Sequence, residues 1–198
     1  MKKSMALWGV CLLALSLSCA ASSSGGQQGE AAAQAAPVKA YTTVNLWFER
    51  PEQIYSTNYH RGTIIPAGTA VEILKRRGSE IQFRADSGTM YKLVHVKRHS
   101  NIDLEELFKR IFSTENVMAP NGKFSKLSEM EKRNVKAGKI APGMSKDAVL
   151  MAYGYPPGHR TPSLSEGTWI YWRDRILNFS VHFGPDGRVT SLGGSAPW

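Results

Sequence analysis

Apolar and polar positions follow two different periods along this chain, and the change between them divides it. From Tyr41 to Val96 the period is near two. AYTTVNLW interleaves Thr with aromatics, and TIIPAGTAVEILKR sets two β-rich runs on either side of a Pro-Ala-Gly turn. EIQFRADSGTMYKLVHV reads as two more strands around Asp86-Ser87-Gly88. Strands this short, with turn signals this close, predict a small antiparallel β domain over residues 40–97. From Ser100 the period turns helical. Leu104, Leu107, Phe108, Ile111 and Phe112 recur at i, i+3, i+4 and i+7 behind Asn101 or Asp103 as cap. They predict an amphipathic helix of about three turns, which with a linker fills residues 98–122.

Residues 123–198 predict an α+β unit. In SKLSEMEKRNVKAGKI, Ser128 and Glu131 have capping-box spacing and Gly138 ends a polar helix. APGMSKDAVLMAYG gives a second helix, capped by Ser145 and stopped by Gly154 in a left-handed conformation, with Pro156 and Pro157 forbidding its continuation. TWIYWRD, ILNFSVHF and RVTSL then read as a three-stranded antiparallel meander, the last two joined at Gly184-Pro185-Asp186-Gly187. The fold class is therefore α+β: a small antiparallel β domain followed by two helices packed on a three-stranded sheet.

Before residue 40 neither period holds. Lys2 and Lys3 precede an apolar run from Met5 to Leu17, the pattern of a secretory signal over residues 1–18 and too short to span a bilayer. Both cysteines, Cys11 and Cys19, lie here, so no internal disulfide is expected in the mature chain. LSLSCA resembles the lipobox of bacterial lipoproteins, which makes Cys19 the lipidated first residue; cleavage after Ala20 by an ordinary signal peptidase is the alternative. Ala20 behind the cysteine, where Asp is absent, implies by the same resemblance sorting to an outer membrane. Ala21 to Pro37 is Ala/Ser/Gly/Gln-rich and reads as a flexible tether within residues 19–39.

The net charge of +9 falls to +7 once Lys2 and Lys3 are removed. A secreted chain meets no cytoplasmic nucleic acid, so Lys132, Arg133 and Lys136 point to anionic lipid headgroups or an acidic partner, with a solvated surface that has no target as the alternative. No cofactor is expected and catalysis finds no footing. His159 and Arg160 sit in a loop whose Ser163 and Ser165 lack a nucleophile-elbow pattern. His95 and His99 would share one face of an extended run, but Lys97 lies between them and no Cys or Asp joins them, which argues against a metal site. Carboxylates Glu105, Glu106 and Asp86 are read as exposed helix or turn residues, and no phosphate-binding glycine loop is present. On the first meander strand Trp169 and Tyr171 face one way, Ile170 and Trp172 the other. One pair covers the helices; the other is left for solvent, the first domain or a partner. The expected contact residues are His159, Arg160, Trp169, Tyr171, Trp172 and Arg173, since Trp, Tyr and Arg are favoured interface anchors.

Gly143-Met144-Ser145-Lys146-Asp147-Ala148-Val149, Tyr153-Gly154-Tyr155-Pro156, Trp169-Ile170-Tyr171-Trp172, Phe179-Ser180-Val181-His182-Phe183 and Gly187-Arg188-Val189 occur in an order that resembles the SmpA/OmlA, or BamE-like, outer-membrane lipoprotein family, over about residues 126–193. The resemblance implies two helices on a three-stranded sheet, an arrangement shared with β-lactamase-inhibitor proteins. It also implies a non-enzymatic periplasmic role in outer-membrane assembly or integrity, with envelope proteins, including the barrel-assembly machinery, as partners. The β domain at 41–96 departs from that family. Its GTIIPAGTAVEIL resembles the turn-and-strand of bacterial Src-homology-type barrels, which implies a cell-wall module holding glycan or peptide through Trp47, Tyr55 and Tyr59. A protein inhibitor built on the helix-plus-sheet fold is a further reading.

Replacing Cys19 by Ala is expected to move the chain from the membrane to the soluble fraction and abolish palmitate labelling. Retention of the variant in the membrane fraction would remove the lipid anchor from the reading.

Overall fold

The computed structural model describes residues 37–195; the leader, Cys19 and most of the tether lie outside it, as do the last three residues. Eleven strands and three helices give an α+β fold. The strands of the first half are β1 (Val38–Thr42), β2 (Leu46–Phe48), β3 (Ile54–Tyr55), β4 (Thr63–Ile65), β5 (Ala70–Arg77), β6 (Glu80–Ala85) and β7 (Met90–Val94). Helix α1 (Leu104–Ile111) and the two-residue β8 (Phe112–Ser113) follow. The six-stranded sheet runs β3-β7-β6-β5-β1-β8, while β2 and β4 form a separate pair. Antiparallel pairing was expected throughout, but β3 and β7 pair in parallel, Ile54 with Leu93 and Tyr55 with Val94.

Helix α1 is capped by Asp103, whose side chain accepts from Glu106 N. It is shorter than the periodicity predicts, because Phe112 leaves the helix and pairs as a strand with Thr42 of β1. Leu107, Ile111 and Phe112 then close a core with Ile73, Ile81, Phe83 and Leu93.

Helices α2 (Glu129–Ala137) and α3 (Lys146–Tyr153) precede β9 (Thr168–Trp172), β10 (Asn178–Phe183) and β11 (Val189–Gly194), an antiparallel sheet in the order β11-β10-β9. The sequence signals at their ends are met. Ser128 and Glu131 form a full capping box, Ser145 caps α3 through Ala148 N, and Gly138 takes the left-handed conformation. Gly154 differs from expectation. Its φ of 75° comes with ψ of −170°, an extended left-hand region open essentially to glycine. A Cβ there would also lie 2.5 Å from Asn58 Nδ2. Val135 of α2, Ala148, Val149 and Ala152 of α3, and Trp169, Phe179, Val181 and Val189 of the sheet share one core.

Glu131 ties this half together. Beyond the capping box it accepts from Ser145 N at 2.8 Å and lies 3.6 Å from Arg188, so a single carboxylate joins the starts of both helices to the edge of β11. Burial alone would push its carboxyl up, but hydrogen bonds from Ser145 and Ser128 outweigh that and hold it at about 2.

The two cores do not separate into two bodies, because residues 37–195 belong to one compact unit. The link is polar. Helix α3 ends on carbonyls that no further turn can satisfy. Leu150 O accepts from Gly154 N, Met151 O from Asn45 N, and Ala152 O from Asn45 Nδ2. Tyr153 O accepts from Asn58 Nδ2 at 2.6 Å. Asn45 Nδ2 also reaches Val135 O in the last turn of α2 at 2.8 Å, and its Oδ1 accepts from Ala67 N. Asn45→Ala is expected to lower stability by about 3 kcal/mol, since it strands several buried backbone groups at once. Urea unfolding of the full chain measures this, and both halves should unfold in one transition in wild type and variant alike.

Candidate functional site

The predicted contact set divides on the structure. Trp169 and Tyr171 are 0% and 1% exposed, so they are core residues rather than contact residues. Trp169 lies against Phe183 under the Lys146 ammonium, and Tyr171 Oη donates to Gly154 O at 2.9 Å. Tyr171 is held far up its titration range by burial. Trp172, on the opposite face, is half-buried: it meets Tyr59 of the first half and the rings of His99 and His159. His159 and Arg160 are exposed; the His159 ring lies 4.5 Å from that of His99. Arg173 is half-buried and 3.7 Å from Asp174. On α2, Lys132 is committed to Glu129 at 2.8 Å, whereas Arg133 and Lys136 are exposed, Lys136 over the Phe124 ring.

The extended run expected through His95 and His99 is also corrected. The chain turns into a 3-10 helix at Lys97–His99, which leaves His95 buried and brings His99 to Trp172. No group of three metal-ligating side chains is found among the described residues.

His60 is the most perturbed histidine, and nothing in the sequence marked it. Its Nε2 lies 3.0 Å from Tyr153 O and its Nδ1 lies 3.1 Å from Trp172 O, so the ring bridges the end of α3 to the end of β9. The ring stacks on Tyr153 at 3.9 Å and meets Tyr171 edge-on. Burial pulls its pKa down to about 4, against the raising effect of the two carbonyls. A neutral imidazole donates through one nitrogen, so one of these two contacts lacks a proton. With both nitrogens facing the backbone, His60 is a strut and has no free edge for a substrate.

A cavity is lined by the two chain neighbours of this strut, Tyr59 and Arg61. It measures about 830 Å³ between the segment from Trp47 to Arg61 and the turn from Asp174 to Leu177 that joins β9 to β10. Trp47, Phe48, Tyr55 and Tyr59 form its aromatic lining. Tyr55 and Tyr59 meet edge-on at 5.9 Å, and Tyr59 passes the contact to Trp172. Arg50, Arg61 and Arg175 also line it, and Ile176 stands on the turn 84% exposed. Trp47, Tyr55 and Tyr59, named from sequence for a cell-wall ligand, are thus brought together; Arg50, Arg175 and Ile176 were missed. Arg173-Asp174-Arg175-Ile176 did carry a signal, an isolated Ile among alternating charges where a turn is due.

Family models, curated proteins and solved structures give no match to this chain.

The burial of His60 has a pH signature. Its folded pKa lies below the unfolded value of about 6.5, so the unfolded state takes up the proton first and stability falls as pH drops from 6.5 to 4. The full loss for this group is about 3 kcal/mol. Urea unfolding between pH 7 and pH 4 should show a steeper fall for wild type than for His60→Gln. Parallel curves would place the pH dependence elsewhere.

Proposed function

We propose that this chain is a non-enzymatic, lipid-anchored interaction module of the cell envelope, acting in outer-membrane assembly or integrity, with the aromatic and arginine-lined cavity as its contact site. The cavity is the observation that carries the reading. Its lining combines Trp, Tyr and Arg, the side chains that anchor interfaces, with an Ile left in solvent at the rim. Two helices sharing a core with a three-stranded antiparallel sheet are in keeping with the SmpA/OmlA resemblance. Leaving catalysis out of the reading rests on His60 being committed to two carbonyls, and on the His99 and His159 rings being packed on each other and on Trp172.

The contact surface shifts accordingly from the strand to the turn. Trp172 supports it from behind, while Arg175 and Ile176 meet the partner. Arg133 and Lys136, exposed on α2, remain the candidates for anionic headgroups under the lipid anchor. A second reading, a cell-wall ligand in the same cavity, is favoured by the meeting of Trp47, Tyr55 and Tyr59.

A photoreactive residue at position 176, crosslinked in cells and followed by mass spectrometry, tests the proposal. Capture of outer-membrane β-barrel proteins or their assembly complex is the expected result. Capture of peptidoglycan-associated proteins, or of nothing, would move the function to the cell wall.

A further inference from the structure

We propose that the occupant of the cavity is an extended acidic peptide, which sets carboxylates on Arg50 and Arg175 and an apolar side chain between the aromatic lining and Ile176. The inference rests on the interaction-module reading and goes beyond it by naming the class of ligand.

Charge carries the argument. The cavity is lined by three guanidiniums, Arg50, Arg61 and Arg175, and two carboxylates, Glu49 and Asp174. The carboxylates are already committed. Glu49 lies 3.5 Å from Arg61. Asp174 Oδ1 accepts from Ile176 N at 2.9 Å and Leu177 N at 2.8 Å, so it builds the turn it sits in. Those amides hold its carboxyl below the usual range, with further help from Arg173 and Arg61. Arg50 and Arg175 have no carboxylate within 4 Å among the described residues. Both guanidiniums are exposed and solvated, so they are free to take a ligand's carboxylates. Carboxylates fit them in the forked geometry that guanidinium favours.

The remaining surface selects peptide over saccharide. Gln53 is the one side-chain amide in the lining, and Glu49 and Asp174 already have internal partners, which leaves few free acceptors for the hydroxyl protons of a neutral sugar. Trp47, Phe48 and Tyr59 offer apolar area on one wall. Ile176 lines the cavity from a turn whose backbone Asp174 fixes, with its side chain left in solvent. A volume of about 830 Å³ lies within the range of sites that enclose a ligand of a few residues.

Fluorescence anisotropy with the full chain tests this. The probe is fluorescein-labelled Glu-Phe-Glu-Leu-Glu; the control is Lys-Phe-Lys-Leu-Lys with the same label. The acidic peptide should bind, more weakly as salt is raised, and the basic one should not. The double variant Arg50→Glu/Arg175→Glu should lose the acidic peptide by at least about tenfold and gain the basic one. Ile176→Ser should weaken the acidic peptide by about tenfold without altering its salt dependence. Circular dichroism and urea unfolding establish that each variant is folded. Equal binding of the acidic peptide to wild type and the double variant would overturn the proposal. So would binding of a labelled chitin tetrasaccharide in place of the acidic peptide. Failure here with position 176 still crosslinking to β-barrel proteins removes the peptide class alone. Failure of that crosslinking while the peptide binds removes the assembly role and keeps the ligand.

Discussion

The carbonyl end of α3 is the constraint on which the arrangement depends. A helix that stops in the protein interior must have its last carbonyls met, and here the next segment is Gly154 followed by a Pro-rich loop that cannot supply donors. Apart from Gly154 N, which meets Leu150 O, the donors come from the other half of the chain. Asn45 and Asn58 enclose the helix end, and His60 lies against the same Tyr153 carbonyl and continues to Trp172 O. Asn58 is able to do this because it adopts a positive φ of 47°, which turns its amide between Trp47 N and Tyr153 O. Asn tolerates that backbone better than other non-glycine residues. Two apolar cores alone would allow the halves to slide. The directed hydrogen bonds fix one register between them.

That register is also what spaces the walls of the cavity. One wall grows from the Trp47–Arg61 segment, which contains Asn58 and His60. The other is the turn after β9, which starts two residues beyond Trp172, whose carbonyl is the second one facing His60. A neutral, dry strut at this position is stiff above the pH at which it charges. Glu131 gives the α/β half its own rigidity, so the β9–β10 turn is carried on a supported sheet.

What the sequence revealed followed its range of interaction. Helix ends were legible because caps act over three residues: Ser128 with Glu131, Ser145 with Ala148, Asp103 with Glu106. Strand faces were legible because period two assigns them, and Trp169 and Tyr171 do point together away from Trp172. The direction of each face was harder, and chemistry misled there. Large aromatics suit both an interface and a core, and α2 and α3 claimed the pair with most area. Asn45, Asn58 and His60 were out of reach, since their partners lie about 90 to 110 residues away in sequence. The cavity was invisible for the same reason, being made of two segments more than 100 residues apart that no local pattern connects.

The density of aromatics, histidine and arginine from Gly154 to Phe183 thus resolves into two roles decided by burial. Trp169, Tyr171 and Phe179 gain more from leaving water than any surface contact would return, and their side of the sheet is the one the helices cover. What is left for recognition is what the core cannot use. The core does not take the guanidiniums of Arg50 and Arg175, and Ile176 stands exposed on a turn that Asp174 fixes. The exposed Ile is the part of this rim that costs the isolated chain free energy, since the two guanidiniums are solvated. A ligand that supplied apolar area and carboxylate together would cover the first and pair with the second, which is the physical basis of the contact proposed at this rim.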